Sequence, residues 1–133
     1  MSVYVCLRVA AEAYAVPVGD VREVLEAVPV TAVPRALPEI LGVRNLRGQI
    51  LPVASLALIL GRQVTAPSAL LLVAESGGLQ AGFAIDEVTG VGELSGPTGP
   101  AESPMLTGAV LAGGELVGFI DMARVFGSLA RSP

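Results

Sequence analysis

The sequence contains few residues that could perform chemistry. Histidine is absent from all 133 positions, which removes the commonest general base, the commonest metal ligand and every Ser-His or Cys-His nucleophile pair. The aspartates Asp20, Asp86 and Asp121 are far apart in the chain, and no two carboxylates form a recognisable acid–base pair. Cys6 is the only cysteine, so neither a metal-binding spacing nor an internal disulfide exists. We therefore predict that the protein is not an enzyme and has no metal or cofactor.

The most informative polar residues are an arginine and a glutamate that the local structure does not require. Arg47 precedes Gly48 at a predicted hairpin turn, and the corresponding residue of a second, similar segment is Gly113. Glu23 corresponds in the same way to Gly90. A guanidinium is a forked donor that matches a carboxylate, so Arg47 is solvated, pairs with Glu23, or meets a carboxylate of a partner. An exposed ion pair adds little to stability, which favours a role in binding.

Apolar residues flank this pair in the sequence. We predict that Val24 and Leu46 belong to the core, whereas Val21 and Val43 are predicted to form an exposed apolar patch. A charged pair ringed by apolar side chains is typical of the centre of a protein interface. The residues of this region therefore favour binding over catalysis.

Composition excludes a membrane-spanning protein. Hydrophobic residues make up 53% of the chain and charged residues 15%, so we expect some apolar surface to be reserved for a partner. The longest uncharged run, Gly48 to Gly61, is shorter than the roughly 20 residues of a membrane span and contains Pro52. Arg8 and Glu12 interrupt any N-terminal signal sequence. We therefore predict a cytoplasmic protein without direct membrane insertion.

Charge and aromatic content argue against nucleic acid as a partner. The net charge is −4, and all eight basic residues are arginines that form no basic stripe along the sequence. A protein that tracks a phosphate backbone carries such a stripe. Aromatic residues make up only 4% and tryptophan is absent, so stacking platforms for single strands are not expected. The predicted partners are therefore proteins.

The chain contains an internal repeat that decides its predicted architecture. The segment Gly42–Leu56 aligns without a gap to Gly108–Met122, 66 positions later. A second match, 67 positions apart, relates Val16–Val24 to Phe83–Val91. Both matches keep their order and the period is half the chain. We therefore interpret the sequence as two halves that arose by duplication.

Each half is predicted to be mostly β, because short runs rich in Val, Leu and Ile are interrupted by Gly and Pro. Five short strands per half suit a small barrel, which leaves few exposed edges. The predicted fold is all-β, with two packed five-stranded barrels of the SH3/OB type and a short helix after the last strand of each half. The predicted strands are Val3–Ala10, Tyr14–Val18, Val28–Val33, Val43–Leu46, Gln49–Ala54, Ala69–Ala74, Leu79–Ile85, Val88–Leu94, Leu106–Leu111 and Glu115–Ile120. The predicted helices are Leu56–Leu60 and Met122–Leu129, with Ser55 and Asp121 as caps.

We predict a single domain over residues 1–133. Residues 14–66 are expected in the first barrel and residues 67–133 in the second, with the strand at residues 3–10 as a candidate for exchange between them. One barrel of this size has only a marginal core, so we expect the two packed barrels to share a single hydrophobic core. The groove between them is a natural place for a ligand.

Several segments resemble motifs of the CheW family of chemotaxis coupling proteins. The most specific is Gly42–Val53, which reads GVRNLRGQILPV and is similar to the family pattern G-v-x-N-L-R-G-x-i-x-P-v. Upstream, Tyr14–Val18 and Val21–Val24 resemble the family's y-a-i-p-i and V-x-E-v elements. Ile85–Val91 resembles its v-D-x-V-x-x-V element. The sequence is therefore similar to a CheW-like domain over nearly its whole length.

The resemblance implies a fold, two partners and a set of site residues. In the family, the first of two five-stranded barrels binds the regulatory domain of the histidine kinase CheA. The groove between the barrels receives the cytoplasmic tip of a chemoreceptor. The residues implied at the kinase-binding surface are Val21, Glu23, Gly42, Val43 and Arg47. The residues implied at the receptor-binding surface are Leu46, Ile85, Val88 and Val91.

The sequence departs from the family pattern in three places. Ser55 replaces the usual aspartate, Arg44 occupies a position that is more often small or apolar, and the loop Gly92–Pro104 is shorter than typical. The resemblance implies a non-enzymatic adaptor, a scaffold that couples chemoreceptor tips to a CheA-type kinase at membrane-associated arrays. Two alternatives stay open: an adaptor in a pathway that governs type IV pili, and a small-molecule-sensing or other protein-binding module that uses the groove.

Overall fold

The described part of the protein is all-β apart from two short α-helices and a 3-10 turn at Val18–Asp20. The structure is a computed structural model that describes residues 2–129. Its strands are β1 (Ser2–Val9), β2 (Glu12–Pro17), β3 (Val21–Glu26), β4 (Ile40–Leu46), β5 (Gln49–Ser55), β6 (Leu70–Ser76), β7 (Leu79–Ile85), β8 (Glu87–Leu94), β9 (Leu106–Ala112) and β10 (Glu115–Ile120). The helices are α1 (Leu56–Ile59) and α2 (Met122–Leu129). Neither of these helices is long enough to cross a membrane.

The strands form two five-stranded sheets. The central sheet has the order β3-β6-β7-β5-β4 and uses only residues 21–85. The terminal sheet has the order β8-β1-β2-β10-β9 and combines both ends of the described chain. Each sheet contains one parallel pair, β5 with β7 and β2 with β10, and its other pairs are antiparallel. The prediction of an all-β fold with two five-stranded units is confirmed.

The two sheets are related by the sequence repeat, but each is built from both halves. Each strand corresponds through the repeat to the strand five places away along the chain, so that β3 corresponds to β8 and β6 to β1. Substituting these counterparts into the order of the central sheet gives the order of the terminal sheet. Each half therefore gives its first two strands to the sheet of the other half. The predicted boundaries, 14–66 and 67–133, differ from this arrangement because β6 and β7 complete the central sheet. The suggested exchange of residues 3–10 extends in the structure to the whole β1–β2 hairpin.

Most strands lie close to their predicted positions. β7 and β10 coincide with the predictions. The predicted strand Val28–Val33 is a loop, in which Thr31 forms a single bridge to Val43. Pro29 interrupts this segment because proline has no N–H to donate to a neighbouring strand. β3 is absent from the prediction, because the consecutive polar residues Arg22-Glu23 and the consecutive apolar residues Val24-Leu25 interrupt the alternation in its sequence.

The middle strands of both sheets bury residues on both faces. Burial on two faces requires apolar residues at consecutive positions, so much of the apolar content that suggested a partner surface is core instead. A large cluster shared between the sheets includes Leu7, Tyr14, Val16, Leu72, Phe83 and Val125. Smaller clusters line the other faces: Ala15, Val117 and Phe119 in the terminal sheet, and Val53, Leu71 and Ala84 in the central sheet.

The predicted helix caps are confirmed at both helices. The Oγ of Ser55 accepts a hydrogen bond from the N–H of Leu58 at 3.3 Å. The Oδ1 of Asp121 accepts a hydrogen bond from the N–H of Arg124 at 3.2 Å. Each bond satisfies one of the unpaired N–H groups of a first helical turn. The two halves therefore begin their helices in the same way, although one uses serine and the other aspartate.

Candidate functional site

Arg47 lies at the tip of the hairpin between β4 and β5. Arg47 and Gly48 form a two-residue turn with φ angles of +50° and +85°. The Oδ1 of Asn45 fixes this turn by accepting the N–H of Gly48 at 2.9 Å. A left-handed arginine costs backbone energy that glycine avoids, and the corresponding residue Gly113 adopts the same conformation with φ of +58°. The turn therefore does not explain the arginine.

Arg47 forms a forked ion pair with Glu23 of β3. Nη1 donates to Oε1 at 3.3 Å and Nη2 donates to Oε2 at 2.5 Å. The arginine side chain remains 69% exposed, and the glutamate side chain 31%. The pairing within the protein that the sequence left open is therefore present. The guanidinium still offers N–H groups to solvent or to a partner, because it has five donors in all.

A second arginine of β4 reaches the same edge strand. Arg44 donates from Nη1 to the backbone carbonyl of Glu26 on β3. Because β3 and β4 are the two edge strands of the central sheet, Arg44 and Arg47 link its edges and the sheet curls into a barrel-like unit. The corresponding residues of the terminal sheet, Val110 and Gly113, cannot form such links. Arg44 was not among the predicted site residues, since this contact depends on the curl of the sheet.

Gly42 supports the loop before β4 and presents no side chain to a partner. It is buried, with φ of +149°, and a Cβ at this position would overlap the carbonyl oxygen of Thr31. The next residue, Val43, exchanges two backbone hydrogen bonds with Thr31, at 2.8 and 2.9 Å. Gly108 repeats this arrangement, with a bridge between Gly99 and Ala109. Gly42 therefore influences the predicted kinase surface through the position of the loop.

The apolar residues near the ion pair differ from the prediction in which side chains are exposed and which are buried. Val24, predicted for the core, is 40% exposed. Val21, predicted to be exposed, is half-buried and packs against the shared cluster. Burial alternates regularly along β3: Val21, Glu23 and Leu25 are half-buried, and Val24 lies on the opposite, exposed face. Val43 and Leu46 are both half-buried.

The residues implied for the receptor side are only partly accessible. Ile85 is fully buried, with 0% exposure, so its predicted contact with a receptor is wrong: its side chain belongs to the shared cluster. Val88 is half-buried against that cluster, and Val91 is 64% exposed. Val88 pairs with Leu7 and Val91 pairs with Val5. Both valines therefore lie on the face of the terminal sheet that is turned toward the central sheet.

The structure groups the predicted residues into two regions. The first comprises β3 and the β4–β5 hairpin, which the two arginine links hold together. Leu46 belongs to this region, since it precedes Arg47 in the hairpin. The second comprises Val88 and Val91 on β8 of the other sheet. Among residues 2–129, no group of three His, Cys, Asp or Glu side chains is placed to hold a metal ion. The first region combines an exposed guanidinium with half-buried apolar side chains, a combination typical of protein interfaces.

The ion pair makes the titration of Glu23 a test of its presence. The hydrogen bonds from Arg47 hold the pKa of Glu23 below its ordinary value near 4.5. A carboxyl with a lowered folded-state pKa stabilises the fold above about pH 4.5 and loses that contribution as the pH falls through the lowered pKa. We expect Arg47→Gln to raise the pKa of Glu23 toward 4.5, as measured by carboxyl ¹³C NMR.

Glu115 provides an internal control for this titration. The hydrogen bonds from Arg8, at 2.7 and 2.8 Å, hold its pKa below the ordinary value in the same way. Arg8 and Glu115 lie in the terminal sheet, so Arg47→Gln should leave the midpoint of Glu115 unchanged. An unchanged midpoint for Glu23 in this variant would mean that the pair does not form in solution.

Comparison with known proteins identifies the family of the chain. The model of the CheW-like domain family matches residues 3–130. The chain belongs to the CheW-like domain family. The motifs at Gly42–Val53 and Ile85–Val91 therefore identify the family correctly, and the predicted resemblance is confirmed.

Individual CheW relatives match the chain over different lengths. The chemotaxis protein CheW of Thermotoga maritima is 37% identical over 81 residues, which cover 60% of this chain and 54% of that protein. The chain thus spans just over half the length of this relative. Protein FrzA of Myxococcus xanthus is 32% identical over 133 residues, which cover 92% of this chain and 83% of FrzA.

A solved structure confirms the CheW-like architecture. The crystal structure of the scaffolding protein TtCheW from Thermoanaerobacter tengcongensis matches with a TM-score of 0.84 at 26% identity. The match covers 94% of this chain and 87% of TtCheW. The two-sheet arrangement is therefore shared with a solved CheW structure.

Proposed function

We propose that the chain is a non-enzymatic adaptor of a chemosensory array, which couples chemoreceptor tips to a CheA-type histidine kinase. The main support is the match of the CheW-like family model to residues 3–130. The names of the relatives, a chemotaxis protein and a scaffolding protein, support the same role. The lack of histidine agrees with binding rather than catalysis. The adaptor would work in the cytoplasm, where receptor tips and kinase meet.

We assign the kinase regulatory domain to the surface formed by β3 and the β4–β5 hairpin. Arg47 and Glu23 provide an exposed, forked pair that can orient a partner through charge-assisted hydrogen bonds. Val21 and Val43 contribute partly exposed apolar surface beside them in the sequence. Gly42 contributes indirectly, by allowing the loop that contains Thr31 to pack against β4.

We assign the receptor tip to the rim between the two sheets. Val91 is the exposed anchor of this surface, and Val88 supports it from a half-buried position. Leu46 would border the surface from the central sheet. The shared hydrophobic cluster fills the space between the sheets, so the receptor tip would lie along the rim. Ile85 has no part in this contact.

The proposal predicts a complex of three components. The full chain is mixed with a CheA regulatory domain and a soluble receptor tip from the same organism, and the mixture is analysed by size-exclusion chromatography with light scattering. We expect the chain to bind each partner alone and all three to elute together, because the main anchors of the two surfaces, Arg47 and Val91, lie on different sheets. Failure to bind either partner would reject the adaptor role, and binding of the kinase alone would reject the receptor assignment.

A further inference from the structure

An apolar pocket opens at the end of the central sheet that is opposite the Arg47 hairpin. Its volume is 390 Å³, within the range of about 300–1,000 Å³ that small-molecule pockets occupy. Leu71 and Ala84, which are 0% and 3% exposed, line its deep end, and Leu41 and Leu58 line its mouth. Ser55 and Ser68 supply the side-chain hydroxyls. A mostly apolar cavity with a few polar groups is the usual form of a small-molecule site.

The duplication places a second pocket at the corresponding position of the terminal sheet. Its volume is 310 Å³, and its lining includes Tyr4, Pro17, Thr107 and Asp121. These residues correspond through the repeat to Leu71, Ala84, Leu41 and Ser55, and the strand pairings Tyr4–Pro17 and Leu71–Ala84 confirm the equivalence. The pocket of the terminal sheet is more polar, because two carboxylates, those of Asp20 and Asp121, line it. The two equivalent sites therefore have opposite character.

The residues behind the two pockets differ in size as well as polarity. In the terminal sheet, Tyr4 packs edge-to-face on Phe119, with ring centroids 4.9 Å apart. The corresponding residues of the central sheet are Leu71 and Val53, which are smaller. In the helix that follows each sheet, Leu58 takes the place of Arg124, whose Nε lies 3.4 Å from Oδ2 of Asp121. The central sheet thus lacks both the aromatic pair and the ion pair of its counterpart.

We infer that the pocket of the central sheet binds a small, uncharged and largely apolar molecule, about the size of one substituted ring. The buried leucine and alanine provide apolar contact at the deep end, and a serine hydroxyl provides one hydrogen bond. A charged molecule is disfavoured, because the lining contains no ionisable side chain that could replace the lost hydration of the charge. This site is separate from the surfaces assigned to the kinase and the receptor.

A matched pair of probes tests the inference. Benzyl alcohol and benzoate carry the same ring, but only benzoate is charged at neutral pH. In ¹H–¹⁵N correlation spectra of the full chain, we expect benzyl alcohol to shift the amide signals of Leu58, Leu71 and Ala84. Benzoate should bind at least about tenfold more weakly, because its carboxylate must lose water to enter. Equal shifts from both probes, or none from either, would overturn the inference.

Variants of the chain test whether benzyl alcohol binds in this pocket and whether the pocket instead receives a side chain of a partner protein. Leu58→Arg introduces the residue type of its counterpart Arg124, at a position that is 38% exposed. This variant should abolish the shifts caused by benzyl alcohol. Ala84→Leu should do the same by filling the deep end. Ile50→Arg, at a residue that is 65% exposed and does not line the pocket, is the control and should leave binding unchanged. If Leu58→Arg weakens binding of the kinase domain while benzyl alcohol causes no shifts, the pocket receives a protein side chain and the inference is wrong.

Discussion

Arg47→Glu is expected to lower the affinity for the kinase regulatory domain or the receptor tip at least about tenfold, because charged anchors of an interface commonly contribute that much. The variant replaces the forked donor by a carboxylate that faces Glu23, so the pair becomes repulsive. The affected side chains are 69% and 31% exposed, and the repulsion is therefore relieved by solvent without unfolding the sheet. Isothermal titration calorimetry measures the affinity, and circular dichroism verifies the fold.

A second substitution at this position separates binding from stability. Arg47→Gly restores the residue that the other half uses at the equivalent turn, where Gly113 has φ of +58°. The variant removes the ion pair but also relieves the left-handed arginine. We expect the melting temperature to be maintained or raised while partner binding falls.

The control for both variants lies in the other sheet. Arg8 forms a similar forked pair with Glu115, at 2.7 and 2.8 Å. Arg8→Glu introduces the same change of charge on β1, in the sheet that does not contain the β4–β5 hairpin, and it should leave kinase binding intact. If Arg47→Glu binds both partners as tightly as the unmodified chain does, Arg47 is a solvated turn residue and the assigned kinase surface is wrong.

Gly42→Ala is expected to cost about 3 kcal/mol of folding free energy, the upper part of the usual range for single substitutions. The backbone at Gly42 has φ of +149°, and the added methyl group would overlap the carbonyl oxygen of Thr31. The loop must then move away, which breaks the two hydrogen bonds between Thr31 and Val43. Chemical denaturation measures the loss, and a midpoint shift without a change in slope would show that the native state alone is affected.

Two other glycines calibrate this result. Gly48 has φ of +85° with open space around it, so Gly48→Ala should cost about 1 kcal/mol from backbone strain alone. Gly19 has open space and no left-handed φ, so Gly19→Ala should change stability by less than about 0.5 kcal/mol. Equal costs at Gly42 and Gly48 would mean that the loop does not pack against β4 as described.

The repeat made the architecture predictable but not the distribution of strands between the sheets. The matched segments Gly42–Leu56 and Gly108–Met122 correctly locate equivalent hairpins and helices, and the strand orders of the two sheets agree with the duplication. Sequence similarity cannot say which copy of a strand completes which sheet, because both copies have the same pattern. The exchange of the β1–β2 hairpin is decided by packing of the shared core, which no local pattern records.

The candidate site was predictable where it depends on sequence differences between the halves. Arg47 and Glu23 were identified because their counterparts are glycines, and the structure brings them together. Arg44 was missed, since its contact with the carbonyl of Glu26 requires the curl of the sheet. Ile85 was implied at the receptor surface by the family resemblance alone, and a matching motif does not record that this side chain is fully buried.

The exchanged hairpin has a consequence for the order of events during synthesis. β1 and β2 are translated well before β8 and β10, the strands with which they pair in the terminal sheet. The strands of the central sheet are all available before β8 has been translated, so this sheet can assemble on the nascent chain while the β1–β2 hairpin still lacks its neighbours. A chain that stops before β9 therefore leaves the edge of β2 unpaired, because β10 is missing, and such an open edge promotes aggregation.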